Sequence, residues 1–159
     1  MKKVNIWIED VVNMDELYHM LFYPKNQQIN QTKKNKLDEK IIYTTKNGKI
    51  KDLSLKNGNI SEYDHSAKDV YCFIIFSPNK KFLFAVSREG RLNQFSTKDK
   101  KLIRDWGKII ATELINSHSI PIIITPDSKY LILLHIEDIS NQNFSLYLRL
   151  CFIEDQALL

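Results

Sequence analysis

Two stretches of this 159-residue chain can be laid over two later stretches without a gap, and nothing else in the sequence restricts the fold as much. Residues 43–54 fall on residues 85–96, so that Gly48 meets Gly90, Ile50 meets Leu92, Leu53 meets Phe95 and Ser54 meets Ser96 at a spacing of 42. Residues 74–84 fall on residues 122–132 at a spacing of 48, which brings Ser77-Pro78-Asn79 onto Thr125-Pro126-Asp127 and Phe82 onto Tyr130. The six extra residues lie between the two matches, near Ile109 to His118. A repeat of this length marks a unit that cannot bury its apolar side alone and is stacked on its neighbours.

Each unit reads as short strands separated by turns. Proline fixes φ and lacks a ladder donor, so the apolar runs that reach Ser77-Pro78-Asn79 and Thr125-Pro126-Asp127 must stop there. The next run, residues 82–87, ends in Arg88-Glu89-Gly90, and Lys46-Asn47-Gly48 stands at the same place one unit earlier. Asn-Gly is a strong hairpin signal. Leu92 and Phe95 mark a third strand, and Leu102-Ile103 with Trp106 a fourth. The reading predicts strands near 71–76, 82–87, 91–96, 120–125 and 130–136. Helical signals are confined to residues 14–20 and 113–115, and β-branched and aromatic residues dominate elsewhere. The fold class is all-β, with four short antiparallel strands per unit, which is the plan of a propeller blade.

The N-terminal third follows the same scheme. Val4-Asn5-Ile6-Trp7 has the pattern of a third strand, with Trp7 in the register of Leu53 and Phe95, and residues 17–24 that of a first strand ending in Tyr23-Pro24. Residues 27–39 form a polar, lysine-rich insertion of the kind found in solvated loops. The chain therefore divides into blade fragments at about 1–16, 17–68, 69–118 and 119–159: three blades and a fraction.

The run from Phe76-Ser77-Pro78-Asn79-Lys80-Lys81-Phe82 through Arg88-Glu89-Gly90-Arg91-Leu92 to Phe95 resembles the WD40-repeat family of β-propellers. Thr125-Pro126-Asp127-Ser128-Lys129-Tyr130-Leu131 repeats its opening, and Val4-Asn5-Ile6-Trp7 is similar to the strand that carries the family's tryptophan. The repeats are degenerate: Glu89 and Asn47 stand where the family has its turn aspartate, Phe95 and Leu53 where it has tryptophan, and His65 and His118 are offset from its histidine position. The family's blade-knitting hydrogen-bonded set is therefore expected to be missing from most blades. What the resemblance implies is a protein-binding scaffold with no catalysis of its own, no cofactor and no metal. The alternatives are an enzyme or small-ligand propeller, or a diverged fragment without a function. Propellers close with about four to eight blades, so this chain is expected to be completed by more chain, by a partner protein or by a second copy of itself.

Composition removes several other classes. Apolar residues make up 43% and charged residues 26%, and the net charge of +4 is too mild to call for nucleic acid. Apolar runs end far short of the roughly 18 residues that span a bilayer. Glu9 and Asp10 interrupt the first one, so a cytoplasmic protein is expected. Cys72 and Cys151 are too far apart in sequence to suggest a paired metal or redox motif.

Catalytic signatures such as G-x-S-x-G, H-E-x-x-H or a glycine-rich phosphate loop do not occur. His19, His65, His118 and His135 read as strand-end or loop groups, and Glu137-Asp138 and Glu154-Asp155 as hairpin-turn carboxylates. Phe73, Phe76, Phe82, Phe84 and Tyr130 read as core. The candidate partner-binding residues are Trp106, on the outer strand, and the basic run Lys33, Lys34 and Lys36.

Overall fold

The computed structural model describes residues 17–23, 40–64, 69–110, 122–140 and 143–153. Strands β1 (Leu17–Tyr23), β2 (Lys40–Thr45), β3 (Ile50–Ser54) and β4 (Ile60–Glu62) form one antiparallel sheet in chain order. A second four-stranded sheet follows, made of β5 (Tyr71–Phe76), β6 (Phe82–Ser87), β7 (Arg91–Ser96) and β8 (Leu102–Lys108). The third sheet has three described strands, β9 (Ile122–Ile124), β10 (Tyr130–Ser140) and β11 (Asn143–Phe152). The described residues contain no helix, and the sheets do not close into a barrel. Meanders of this size following one another along the chain make an incomplete propeller.

The repeats seen in the sequence are repeats of hydrogen bonding. The Lys49 amide donates to Thr45 Oγ1 at 3.1 Å, and 42 residues on the Arg91 amide donates to Ser87 Oγ at 3.3 Å. The amides of Phe82 and Lys81 donate to Ser77 Oγ and Asn79 Oδ1, both at 3.0 Å. Forty-eight residues later the amides of Tyr130 and Lys129 donate to Thr125 Oγ1 and Asp127 Oδ1, again at 3.0 Å. Hydroxyl, carboxamide and carboxylate side chains therefore build the turns by supplying acceptors to the backbone. Gly48 and Gly90 have φ of 82° and 83°, a conformation that glycine adopts without steric cost.

Alternation along the strands sends successive side chains to opposite faces, and the repeat assigns the faces. Ile42 and Ile50 of the first sheet turn toward the second, where they join Tyr71, Ile74, Leu83, Ala85 and Phe95 in one buried cluster. Phe84 and Leu92, one repeat further on, turn toward the third sheet and pack with Ile122, Ile124, Leu131, Leu133 and Ile153. The opposite faces correspond too: Ile41, Tyr43 and Leu53 cluster on the first sheet at the positions that Leu83, Ala85 and Phe95 occupy on the second.

The structure revises parts of the sequence reading. Residues 17–20, open to a helical reading, are strand paired with β2. Glu137 and Asp138 are not turn residues: β10 runs to Ser140, and they pair with Ser145 and Phe144. Leu131–Leu134 and Leu146–Leu150 carry enough apolar and β-forming residues to extend the hairpin past them. His19 and His135 likewise pair within strands, opposite Thr44 and Tyr147. Phe82 and Phe84 are buried, and Phe73 and Phe76 pack against the core clusters as half-buried residues. The predicted strand at Val4–Trp7, the insertion at 27–39 with Lys33, Lys34 and Lys36, His65, His118 and Glu154-Asp155 lie outside the described residues.

Candidate functional site

A cleft of about 510 Å³ runs along the β7–β8 side of the second sheet, lined by Asp69, Glu89, Arg91, Asn93, Leu102, Asp105 and Lys108. Its residues reach it by strand alternation: Arg91 and Asn93 are two apart on β7, and the register places Lys108 opposite Arg91 and Asp105 opposite Asn93. Asp69 precedes β5, and the Asn93 carboxamide donates to its Oδ2 at 3.2 Å and to the Tyr71 hydroxyl oxygen at 2.5 Å. The Arg91 guanidinium lies 3.5 Å from Asp69 Oδ1 and donates to Asp105 Oδ2. Asp105 also accepts the Gly107 amide at 2.8 Å.

Five side chains from three segments thus form one polar network across the blade. Asp69 and Asn93 are buried, while Arg91 and Asp105 carry it out to solvent. Asn93 Oδ1 is itself buried without a hydrogen-bond partner. Burial pushes the Tyr71 hydroxyl up to about 12, with the Asn93 hydrogen bond opposing and the negative charges of Asp69 and Asp105 adding to the rise. Burial also acts to raise Asp105, but the Gly107 amide and Arg91 outweigh it and hold the carboxyl below its ordinary value. At neutral pH the tyrosine therefore stays protonated and Asp105 stays ionised. A general acid or base works best with a pKa near the working pH, and these two groups have been moved in opposite directions away from it.

The thiols are no better placed as nucleophiles. Burial raises both Cys72 and Cys151, which keeps them protonated, and the reactive form of cysteine is the thiolate. Among the described residues no group of three or more His, Cys, Asp or Glu side chains is arranged to hold a metal ion. No helix among them is long and apolar enough to cross a membrane.

Trp106 sits on β8 beside this cleft, half-buried and packed against the core shared by the second and third sheets. The Arg104 guanidinium lies 4.0 Å from its ring centroid, in cation–π geometry. Its indole Nε1 is buried without a hydrogen-bond partner. Leu102 and Ile103, also on β8, are exposed large apolar residues at the sheet's outer edge.

The Asp69–Tyr71–Asn93–Arg91–Asp105 network does not follow from the Asp, His, Ser or Thr and Trp positions of the family's pattern. Asn93-Gln94 in the middle of a strand was the available signal, because buried carboxamides in a strand need partners.

No family model matches the chain, and no curated protein matches it. Among solved structures it is similar to a putative 6-phosphogluconolactonase from Bacteroides uniformis, with 20% identity and a TM-score of 0.47 over 69% of this chain and 36% of that one. It is also similar to the β-propeller domain of Myceliophteria thermophila Cps50 (Swd1), with 13% identity and a TM-score of 0.49 over 75% of this chain and 36% of that one. The chain thus spans little more than a third of the length of either protein.

Proposed function

We propose that this chain is a WD40-type propeller segment that acts as a protein-binding module and performs no catalysis. The observation that carries the reading is the β7–β8 cleft: a network fixed by hydrogen bonds and ion pairs, next to exposed Leu102 and Ile103. A rigid frame that presents charged and apolar groups side by side has what a polypeptide partner needs for orientation and for burial. The same fixed pairing leaves Tyr71 and Asp105 unsuited to move protons at neutral pH. Trp106 and the basic run Lys33, Lys34 and Lys36 enter the proposal as further contact residues.

Co-precipitation with tagged protein tests it, comparing the native chain with Arg91→Ala and with Lys80→Ala as a control outside the cleft. A specific polypeptide retained by the native and control proteins and lost at least ten-fold with Arg91→Ala supports the reading. Equal retention by all three overturns the assignment of the cleft. Arg91→Ala removes an exposed pair with Asp105, worth roughly 0–1 kcal/mol, and also the ion pair to buried Asp69, which keeps its hydrogen bond from Asn93, so a thermal melt of the variant accompanies the binding comparison to establish that it is folded.

A further inference from the structure

The face of the second sheet that packs on the third ends, at its outer margin, in hydrogen-bond donors. Gln94 of β7 is paired with Phe84 of β6 on one side and with Arg104 of β8 on the other, and directly paired residues share a face. Trp106, two residues after Arg104, packs against the same core as Phe84. Gln94 is 2% exposed and its Nε2 is buried without a hydrogen-bond partner, as is the Trp106 indole Nε1. Buried donors normally find acceptors, so two orphaned donors on one face mark a place where an acceptor belongs.

The third sheet brings a further donor to this margin. Arg149 of β11 is paired with Leu133 and Cys151 with Leu131, and both leucines lie in the core shared with the second sheet. Burial raises the Cys151 thiol, and the charges of Arg149 and Arg104 oppose the rise, so two guanidinium groups from adjacent sheets converge on one sulfur. No carboxylate among the described residues acts on it. Both arginines are exposed, and among the described residues neither has an ion pair. Arg104 lies instead over the Trp106 ring, 4.0 Å from its centroid. Asp105 lines the β7–β8 cleft on the other face of the sheet, where it holds Arg91. On β10 the acidic position of the Arg149 face is Glu137, four residues past Leu133 and about 13 Å along the strand.

We propose that Arg104 of β8 and Arg149 of β11 form an anion site at the seam of the second and third sheets, and that its ligand is a phosphate group, free or as a monoester. A guanidinium is a planar fork that matches the oxygen pairs of phosphate. Two of them balance a dianion, whereas a carboxylate leaves one positive charge over and a cation meets like charge. The orphaned N–H groups of Gln94 and Trp106 beneath have the polarity that favours an anion above them. The seam lies on the opposite face of the second sheet from the β7–β8 cleft, so this inference is independent of what the cleft binds.

The Trp106 indole N–H reports on the site directly in proton–nitrogen NMR spectra of the full chain. The chain has two tryptophans, Trp7 and Trp106, and Trp106→Phe identifies the resonance. At neutral pH inorganic phosphate should move it saturably, and chloride at the same ionic strength should not. Arg104→Gln and Arg149→Gln should each raise the phosphate dissociation constant at least ten-fold, while Lys98→Gln, on the β7–β8 turn, should leave it unchanged. Capped phosphoserine is the second probe: tighter binding than inorganic phosphate assigns the site to a phosphorylated side chain, and weaker binding to the free ion. The titration of the native chain carries the test even if a glutamine variant fails to fold. A resonance that phosphate moves no further than chloride does overturns the proposal, as does a saturable shift unchanged by both arginine substitutions. Acetate binding as tightly as phosphate overturns the choice of ligand.

Discussion

The Lys100 ammonium lies 2.8 Å from Asp52 Oδ1, joining the β7–β8 turn of the second sheet to β3 of the first. Lys100 has φ of 61°, and its carbonyl accepts the Asp64 amide at 2.8 Å, so backbone and side chain dock on the first sheet together. Asp52 is 3% exposed at its side chain and is also held by Lys40 at 3.2 Å and by the Ser61 hydroxyl. Burial pushes its carboxyl up, and the hydrogen bonds from Lys100 and Ser61, with the charges of Lys100 and Lys40, more than reverse this. The carboxyl therefore ionises below its ordinary 3.8.

A carboxylate with a depressed pKa contributes stability that is complete above its unfolded value and is lost as pH falls through the folded one. The melting temperature should hold from neutrality down to about pH 4 and fall below it. Lys100→Ala should cost about 2 kcal/mol at pH 7, because it leaves a buried carboxylate short of a partner, and should flatten that acid limb. Urea unfolding at pH 7 and melting curves between pH 7 and about 2 check both. An acid limb unchanged by Lys100→Ala would remove Asp52 from the account.

Gly90 and Gly48 differ from Gly58 in a way that unfolding can read. A Cβ at Gly90 would stand 2.0 Å from the Ile110 carbonyl oxygen and one at Gly48 2.3 Å from Val70 Cα, whereas one at Gly58 meets nothing. All three have positive φ, which costs an L-residue about 1 kcal/mol or more. Gly58→Ala should lose roughly that much, and Gly48→Ala and Gly90→Ala should lose at least about 3 kcal/mol each, since backbone must move as well. Denaturant midpoints for the three variants decide it.

Much of this was legible in the sequence because turns announce themselves. Ser77-Pro78-Asn79, Thr125-Pro126-Asp127 and the glycines at 48 and 90 fix where strands end, and strand periodicity then assigns the faces. The Glu137-Asp138 pair has the composition of a turn, but the pairing of the surrounding leucines makes it strand. The polar network was hidden for a different reason. Asp69 and Asn93 are 24 residues apart and meet only because β5 and β7 lie on either side of β6. No local pattern encodes that contact.

Tyr71 should give the opposite pH signature to Asp52. Its hydroxyl is raised to about 12, so the stability it contributes is complete below an ordinary 10.0 and declines as pH rises from there toward 12. Tyr71→Phe should reduce that alkaline loss and cost about 1 kcal/mol at neutral pH, through the lost hydrogen bonds to Asn93 and Asp69. Ultraviolet titration of the native protein and of the variant follows the phenolate directly.

Trp106→Ala should lower both stability and partner affinity, the first by about 2 kcal/mol because the ring covers part of the core, the second by a similar amount if it is a contact anchor. Deleting residues 27–36 should leave the unfolding midpoint nearly unchanged, because this polar, lysine-rich stretch has few core-forming residues and the entropy of a connection depends only weakly on its length. Thermal melts beside binding isotherms separate the two effects. A collapsed midpoint after the deletion would show that the insertion is structural.

A turnover screen on the purified full chain tests the central claim most directly, using lactones, phosphate esters and peptides as substrates at neutral pH. The account predicts no rate above buffer for the native protein, and no difference between it and Tyr71→Phe, Asp105→Asn or Glu89→Gln. Robust turnover that one of these substitutions abolishes would contradict the binding-module reading and make the β7–β8 cleft an active site.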